Sequence, residues 1–402
     1  MSDLLSRMRG MEDADVAGKR VLVRADLNVP MKDGNVTDTT RLDRVVPTIR
    51  SLSERGARVV ILTHFGRPGG KKVPEMTLEP VAARLAELLG KPVRFVADCI
   101  GPVAKAGVDA LKDGDIAMLE NLRFYEGETK NDPDFVAQLA KNGDIYVSDA
   151  FSTSHRAHAS TEGLAHHMPA YAGPLMMAEI TALATALDVP KRPVAAIVGG
   201  AKVSSKITVL VNLTKKVDVL IIGGGMANTF MFAKGQSVGK SLCEPDFADT
   251  AKEIMAAAEA EGCKIMIPED VVVADEFKAN ANNAVYSADD VPEDGMILDA
   301  GPQSVKTLEA ELEKCRTLIW NGPLGAFEME PFGAATFALA KKAAELTREG
   351  KLITVGGGGD TVAALNIAGV SDDFTYISTA GGAFLEWMEG KELPGVMALA
   401  QG

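Results

Sequence analysis

Apolar and polar residues follow two rhythms along this chain, and the rhythms trade places from the start. Nearly continuous apolar runs, the mark of strands buried on both faces of a parallel sheet, fall at residues 20–29, 58–63, 93–97, 115–119 and 145–148. Between them, apolar positions recur at helical spacing. Leu42, Val45, Val46, Ile49 and Leu52 share one helix face, with Pro47 kinking or starting that helix. Residues 76–89 form a second amphipathic helix, ended by Gly90 and Pro92. This alternation predicts βαβ units and parallel sheets.

Residues 169–193 read as a joint. The 3.6-residue period predicts a helix over 175–187, apolar nearly all round and set between proline-rich ends. Such a helix is usually buried between two bodies rather than left as a solvated linker. The alternation then restarts, with strands at 194–198, 217–222, 264–267, 296–298, 317–320, 352–355 and 375–378. A chain of 402 residues is long enough for two or three cores. The expected fold class is α/β: two doubly wound, Rossmann-like parallel-sheet domains joined by a buried helix.

Open parallel sheets bind ligands beyond the carboxyl ends of their strands, so the residues after each strand carry the most information. In the second half these are Gly199-Gly200, Gly223 to Gly225, Asn321-Gly322-Pro323, Gly356 to Gly359 with Asp360-Thr361, and Thr379 to Gly382. Five glycine-rich ends predict one groove in which backbone approaches a ligand. In the first half the same positions carry Asp26, Asn28, His64, Arg67, Arg123, His155 and Arg156. One half offers backbone and the other offers charged side chains.

The stretch 193–206, PVAAIVGGAKVSSK, combines a strand, a glycine turn and two lysines, Lys202 and Lys206, spaced for one helix face. It suits a polyanion such as a nucleotide phosphate tail, although an ordinary strand–helix turn with two solvated lysines has the same letters. No Walker pattern closes it. In GGGGDT (356–361), Asp360 is either a plain N-cap or a Mg²⁺ ligand beside a phosphate-binding helix start; within a glycine-lined groove the second reading is preferred. Glu328 is a candidate for a ribose hydroxyl or, alternatively, an exposed loop carboxylate.

Charge and cysteine content narrow the classes. A net charge of −13 argues against nucleic acid and anionic membranes as partners. Of 17 arginines, 14 lie in residues 1–188, which suggests a small anionic ligand there. Arg44, Arg50, Arg55 and Arg58 read as mere helix coating. Cys99, Cys243, Cys263 and Cys315 lack zinc or C-x-x-C spacing and fit reduced thiols of a cytosolic protein. Residues 1–16 lack the apolar region of a secretory signal. Residues 175–189 are too few to span a bilayer and include Glu179 and Asp188. Gly223 to Asn228 lacks the third glycine of a dinucleotide fingerprint. The loop 235–241 is one residue short of a P-loop. His155, His158, His166 and His167 have no cysteine or acidic partners at ligand spacing, so a structural or substrate-contacting role is expected.

RADLNVP (24–30), HFGRP (64–68), LENLRF (119–124), DAFSTSHRAHAS (149–160), VGGAKVSSK (198–206), GGGMANTF (223–230), WNGPLGAFE (320–328), GGGGDT (356–361) and STAGGAFLE (378–386) together resemble the phosphoglycerate kinase family, in family order and across essentially the whole chain. The resemblance implies a two-domain, hinge-closing kinase of glycolysis, cytoplasmic and monomeric. Its reaction is Mg²⁺-dependent phosphoryl transfer from 1,3-bisphosphoglycerate to ADP, giving 3-phosphoglycerate and ATP. It also implies a phosphoglycerate-binding domain at 1–174, an interdomain helix and hinge at 175–192, a nucleotide-binding domain at 193–388, and a segment 389–402 returning to the first domain.

Carried onto matching positions, the phosphoglycerate contacts are Asp26, Asn28, Arg41, His64, Arg67, Arg123 and Arg156. The nucleotide contacts are Gly200, Lys202, Lys206, Asn321, Glu328, Gly358, Gly359, Asp360 and Thr361, with Mg²⁺ on Asp360. Arg41 and Lys202 are expected to stabilise the phosphoryl group in transfer, with Gly381 and Gly382 in a closing glycine loop. Phe65, Ser152, Ser154 and Ala380 depart from the family pattern. An alanine at 380 is expected to restrict the backbone beside the transferring phosphate.

Overall fold

The computed structural model describes residues 2–401. They form two compact units: one runs to Thr181 and regains the chain from Glu392, and the other is Ala182–Lys391. Met1 and Gly402, the latter the end of the segment expected to return, lie outside the described residues.

The first unit is built on a six-stranded parallel sheet, ordered Val93–Val96, Ile116–Leu119, Arg58–Leu62, Arg20–Arg24, Ile145–Ser148 and Ala170–Ala172. The inner strands are buried along almost their whole length, as their continuous Val/Ile/Leu runs require. The strand expected over 20–29 stops at Arg24. Beyond it the Leu27 N–H donates to the Thr63 hydroxyl at 3.0 Å instead of to a ladder partner, and residues 25–30 turn away above the sheet. Helix Thr40–Glu54 buries the predicted face and keeps Pro47 inside it, so Pro47 does not begin the helix. Helix Glu79–Leu89 starts three residues late, after a 3₁₀ turn Pro74–Met76, and ends on left-handed Gly90 as expected.

The returning segment forms helix Pro394–Leu399, which buries Val396, Ala398 and Leu399. The Gly395 N–H donates to the Ser154 carbonyl at 2.9 Å. A side chain at 395 would lie 3.1 Å from the Ser154 Cα.

Helix Pro174–Leu183 runs on into a π-helical turn Ala184–Asp188. It buries Met176, Glu179, Ile180 and Leu183, whereas Ala178 and Thr181 are exposed. Its first turn is capped by Asp149, whose Oδ1 accepts from the Leu175 and Met176 N–H groups at 2.8 and 3.2 Å.

The second unit repeats the plan with parallel strands ordered Lys264–Met266, Val219–Gly223, Val194–Gly199, Thr317–Asn321, Ile353–Gly357 and Tyr376–Ser378. One expectation needs correction here. Met296–Ala300 belongs to a separate antiparallel sheet with Asp270–Ala274 at its centre and Asn283–Ser287 at its edge. The edge strand is mostly exposed, so it lacks the apolar run by which buried strands announce themselves.

Both large sheets reverse their strand order beside their first strand. The reversals fall between Arg20–Arg24 and Ile145–Ser148, and between Val194–Gly199 and Thr317–Asn321. Loops on either side of such a reversal splay apart and leave a crevice. Asp26 and Ser152 flank the first crevice, and Gly200 and Gly322 flank the second. Among the described residues, no helix is long and apolar enough to cross a membrane.

Candidate active site

In the first unit the loops above the sheet are tied into one frame. Asn121 is the knot: its Oδ1 accepts from the Phe65 and Arg123 N–H groups, and its Nδ2 donates to the Phe65 and Met76 carbonyls. The Asn28 Oδ1 accepts from the Gly66 N–H at 3.0 Å, and Arg123 Nη1 donates to the Gly66 carbonyl at 2.8 Å. Asn28 and Arg123 are thereby fixed by contacts to the Gly66 backbone, and His64 Nδ1 lies 3.0 Å from Arg24 Nη2. Asp26 accepts from Arg41 Nη1 at 2.5 Å, and its same oxygen, Oδ2, also accepts from the Ser152 hydroxyl. Ser152, a departure from the family pattern, thus acquires a definite partner.

Positive charge gathers on this frame. Burial, followed by the cations Arg24, Arg123, Arg41 and Arg156, drives the His64 imidazole far below its usual range. Burial also lowers the Arg123 guanidinium to about 10, with Arg24 and Arg156 the next largest causes. Four arginines acting on one buried imidazole mark a site short of negative charge. Arg67 and Arg156 are exposed. Arg156 Nε bonds His155 Nε2 at 3.1 Å, and Arg67 makes no hydrogen bond or ion pair among the described residues. His158 lies 3.8 Å from Glu128, and His166 lies 3.7 Å from Glu162. Among the described residues, no group of three or more His, Cys, Asp or Glu is placed to hold a metal ion.

In the second unit a cavity of about 710 Å³ opens over the strand ends. Gly200, Gly224, Gly225, Leu242, Glu328 and Asp360 are among its lining residues. Asp360 stands in the first turn of helix Gly359–Ala368, and its negative charge raises the Lys206 pKa. Most of the lining is apolar, which suits a flat ring more than a chain of charges.

Lys202 and Lys206 differ in setting. Lys202 is exposed and joins no ion pair among the described residues. The Lys206 Nζ is drawn inward, donating to the Gly199 carbonyl at 2.7 Å and to Asn321 Oδ1 at 2.5 Å. Burial lowers it to about 8. Asn321 also donates to the Gly357 carbonyl, and the Thr361 hydroxyl accepts from the Gly322 N–H at 2.7 Å. Lys206, Asn321 and Gly357, with Gly322 and Thr361, therefore form a hydrogen-bonded floor beside the cavity rather than part of its wall, and Gly358 packs against Asn321.

Two glycine expectations change. The groove glycines are needed first for loop-on-loop packing: a side chain on Gly199 would come within 1.8 Å of the Pro323 carbonyl oxygen, and one on Gly322, at φ +102°, within 2.2 Å of the Gly199 oxygen. Gly381 and Gly382 begin helix Gly381–Met388 rather than lying in a loop, with Gly381 facing the Gly358 Cα. Ala380 sits at φ −100°, outside the left-handed region that favours glycine.

Set beside known proteins, the chain matches the phosphoglycerate kinase family model over residues 11–391. The chain belongs to the phosphoglycerate kinase family. It is 63% identical over 386 residues to the phosphoglycerate kinase of Rhizobium leguminosarum bv. trifolii, covering 96% of each chain. It is 60% identical over 400 residues to that of Methylorubrum extorquens, covering 99% of this chain and all of that one. The solved phosphoglycerate kinase of Coxiella burnetii superposes with a TM-score of 0.92 at 43% identity, over 98% of this chain and 99% of that one. Members of the phosphoglycerate kinase family are glycolytic phosphotransferases acting on 3-phosphoglycerate with ATP.

Arg24, Asn121 and Ser152 escaped the first reading as site residues. All three lie inside quoted motifs, where only the tertiary contacts distinguish them from other residues of the motif.

Proposed function

We propose that this chain catalyses reversible phosphoryl transfer between the acyl phosphate of 1,3-bisphosphoglycerate and ADP, as a cytoplasmic monomer. The phosphoglycerate rests on Asp26, Asn28, Arg41, His64, Arg67, Arg123 and Arg156. The nucleotide occupies the cavity, with its phosphates toward Gly200, Lys202, Lys206 and the Asn321, Gly358–Thr361 floor, and its ribose against Glu328. The observation that carries this reading is the gathering of Arg24, Arg41, Arg123 and Arg156 around the buried His64, whose positive charge a substrate bearing phosphate and carboxylate groups would neutralise.

In the direction of ATP use the acceptor is a carboxylate, ionised at neutral pH, so no general base is required. What remains is alignment and positive charge for the equatorial oxygens in transfer. Arg41 and Lys202 supply that charge, and the N-terminus of helix Gly381–Met388 directs further N–H groups toward it. Asp360 is the one acidic residue assigned to metal binding. A single carboxylate fits Mg²⁺, which takes its other ligands from nucleotide phosphates and water and withdraws charge from them when bound. Arg41 and Lys202 stand in different units. A hinge near residues 175–192 would therefore assemble the site on closure and exclude the water that hydrolyses acyl phosphates.

A coupled assay with ATP, Mg²⁺ and 3-phosphoglycerate tests the assignment. ADP should appear only when all three are present. ADP formation indifferent to 3-phosphoglycerate would refute it.

A further inference from the structure

We propose that Arg24 is a positioning residue for the phosphoglycerate site: it holds His64 as the neutral tautomer protonated on Nε2, making that nitrogen a hydrogen-bond donor to the substrate's anionic oxygens. The proposal rests on the assignment of His64 to that site and adds a residue, a protonation state and a direction to it.

Arg24 ends the central strand with only 1% of its surface exposed. Each of its three side-chain nitrogens donates to the protein: Nη2 to His64 Nδ1 at 3.0 Å, Nε to the Ser160 hydroxyl at 2.8 Å, and Nη1 to the Ala25 carbonyl. A guanidinium has no acceptor atom and does not lose its proton in proteins. The shared proton therefore belongs to Arg24, and His64 Nδ1 must present a lone pair. With Nδ1 occupied as an acceptor, the ring proton sits on Nε2. Nε2 itself makes no hydrogen bond among the described residues. Burial, and after it the surrounding arginines, disfavour a second ring proton on His64.

The far side of Arg24 holds it in this role. Ser160 accepts from Arg24, so its own hydroxyl proton goes to Glu128 Oε1 at 2.6 Å, and its N–H goes to Oε2 at 3.0 Å. Tyr146 donates to the Ser160 carbonyl at 2.7 Å. Glu128 is fully buried; burial raises its pKa, and Arg24 is the largest opposing influence. Donation thus runs outward from Arg24 on both sides, through Ser160 to Glu128 and directly to His64. The opposite tautomer would set two donors face to face at Nδ1 and turn a lone pair toward an anion.

The test uses the full chain labelled with ¹⁵N-histidine. The chain has five histidines, and the His64 signals are identified by their loss in His64→Gln. At neutral pH, two-bond ¹H–¹⁵N correlations should show a protonated Nε2 and a bare Nδ1. A protonated Nδ1, alone or together with Nε2, overturns the proposal. This measurement needs no change at Arg24, so it stands even if such variants fold poorly. In steady-state assays, Arg24→Lys should raise KM for 3-phosphoglycerate roughly tenfold while KM for ATP stays within about twofold. An unchanged KM for 3-phosphoglycerate overturns it. His64→Ala separates the two levels of the argument. If that variant binds 3-phosphoglycerate normally, the assignment of His64 fails and the proposal falls with it. If it binds weakly while wild-type His64 carries its proton on Nδ1, the proposal alone fails.

Discussion

The ammonium of Lys206 lies 2.5 Å from the side-chain oxygen of Asn321, turned into the protein and away from the neighbouring cavity. Burial there lowers its pKa to about 8, partly opposed by Asp360. The charged form is thus held against its preference for water, and an incoming phosphate would restore what burial removed.

ATP binding should therefore weaken as pH rises through about 8, where Lys206 loses its charge. KM for ATP measured between pH 6.5 and 9.5 should show one ionisation in that region, absent from Lys206→Met. The stability effect has the opposite sign. Between the folded value and the unfolded lysine value, the unfolded chain binds more protons, so this group makes the fold more stable as pH rises.

Arg41 is exposed and pairs with Asp26. Replacing it by alanine should leave the fold intact and the KM for ATP nearly unchanged. Turnover should fall by about 10²-fold or more if its charge acts chiefly in the transition state. Turnover within a few-fold of wild type would remove Arg41 from the role assigned.

Asp149 joins two helices. Its Oδ2 accepts from the Thr48 hydroxyl at 2.6 Å while its Oδ1 caps helix Pro174–Leu183. Asp149→Ala removes the cap and strands a buried hydroxyl, at a cost of about 2–4 kcal/mol. Thr48→Val should cost about 1–2 kcal/mol. Urea unfolding followed by circular dichroism measures both, and equal losses would contradict the shared-carboxylate picture.

Leu399 is 1% exposed in the returning helix. Leu399→Ala should destabilise the protein by about 2–4 kcal/mol. A chain ending at Lys391 should lose more, because Leu393, Val396 and Ala398 lose their burial as well. A truncated chain as stable as the full one would mean that the helix packs without contributing stability.

Where burial is periodic, the sequence announces it. The inner strands of both parallel sheets, and the helix faces of Leu42 to Leu52 and of residues 79–89, were legible because uninterrupted apolar runs and 3.6-residue spacing have few other uses. The exposed edge strand Asn283–Ser287 was not legible, because half of its meaning is the partner strand it pairs with. The charged strand ends were legible as chemistry. Their assembly was not, since Asn28 meets Gly66, and Asn121 meets Phe65, only after the sheet has brought distant loops together.

The stretch 193–206 shows the division most clearly. Its letters alone determine a buried strand, a glycine turn and two lysines on a helical spacing. Tertiary structure decides that Gly199 must be glycine because the Pro323 carbonyl occupies the space of its side chain. It also decides that Lys206 turns inward while Lys202 stays in water. Backbone propensity and hydrophobic pattern are local and can be read along the chain. A side chain's partner, and with it the pKa of Lys206 and the ring proton of His64, depends on atoms a hundred residues away in one case and forty in the other.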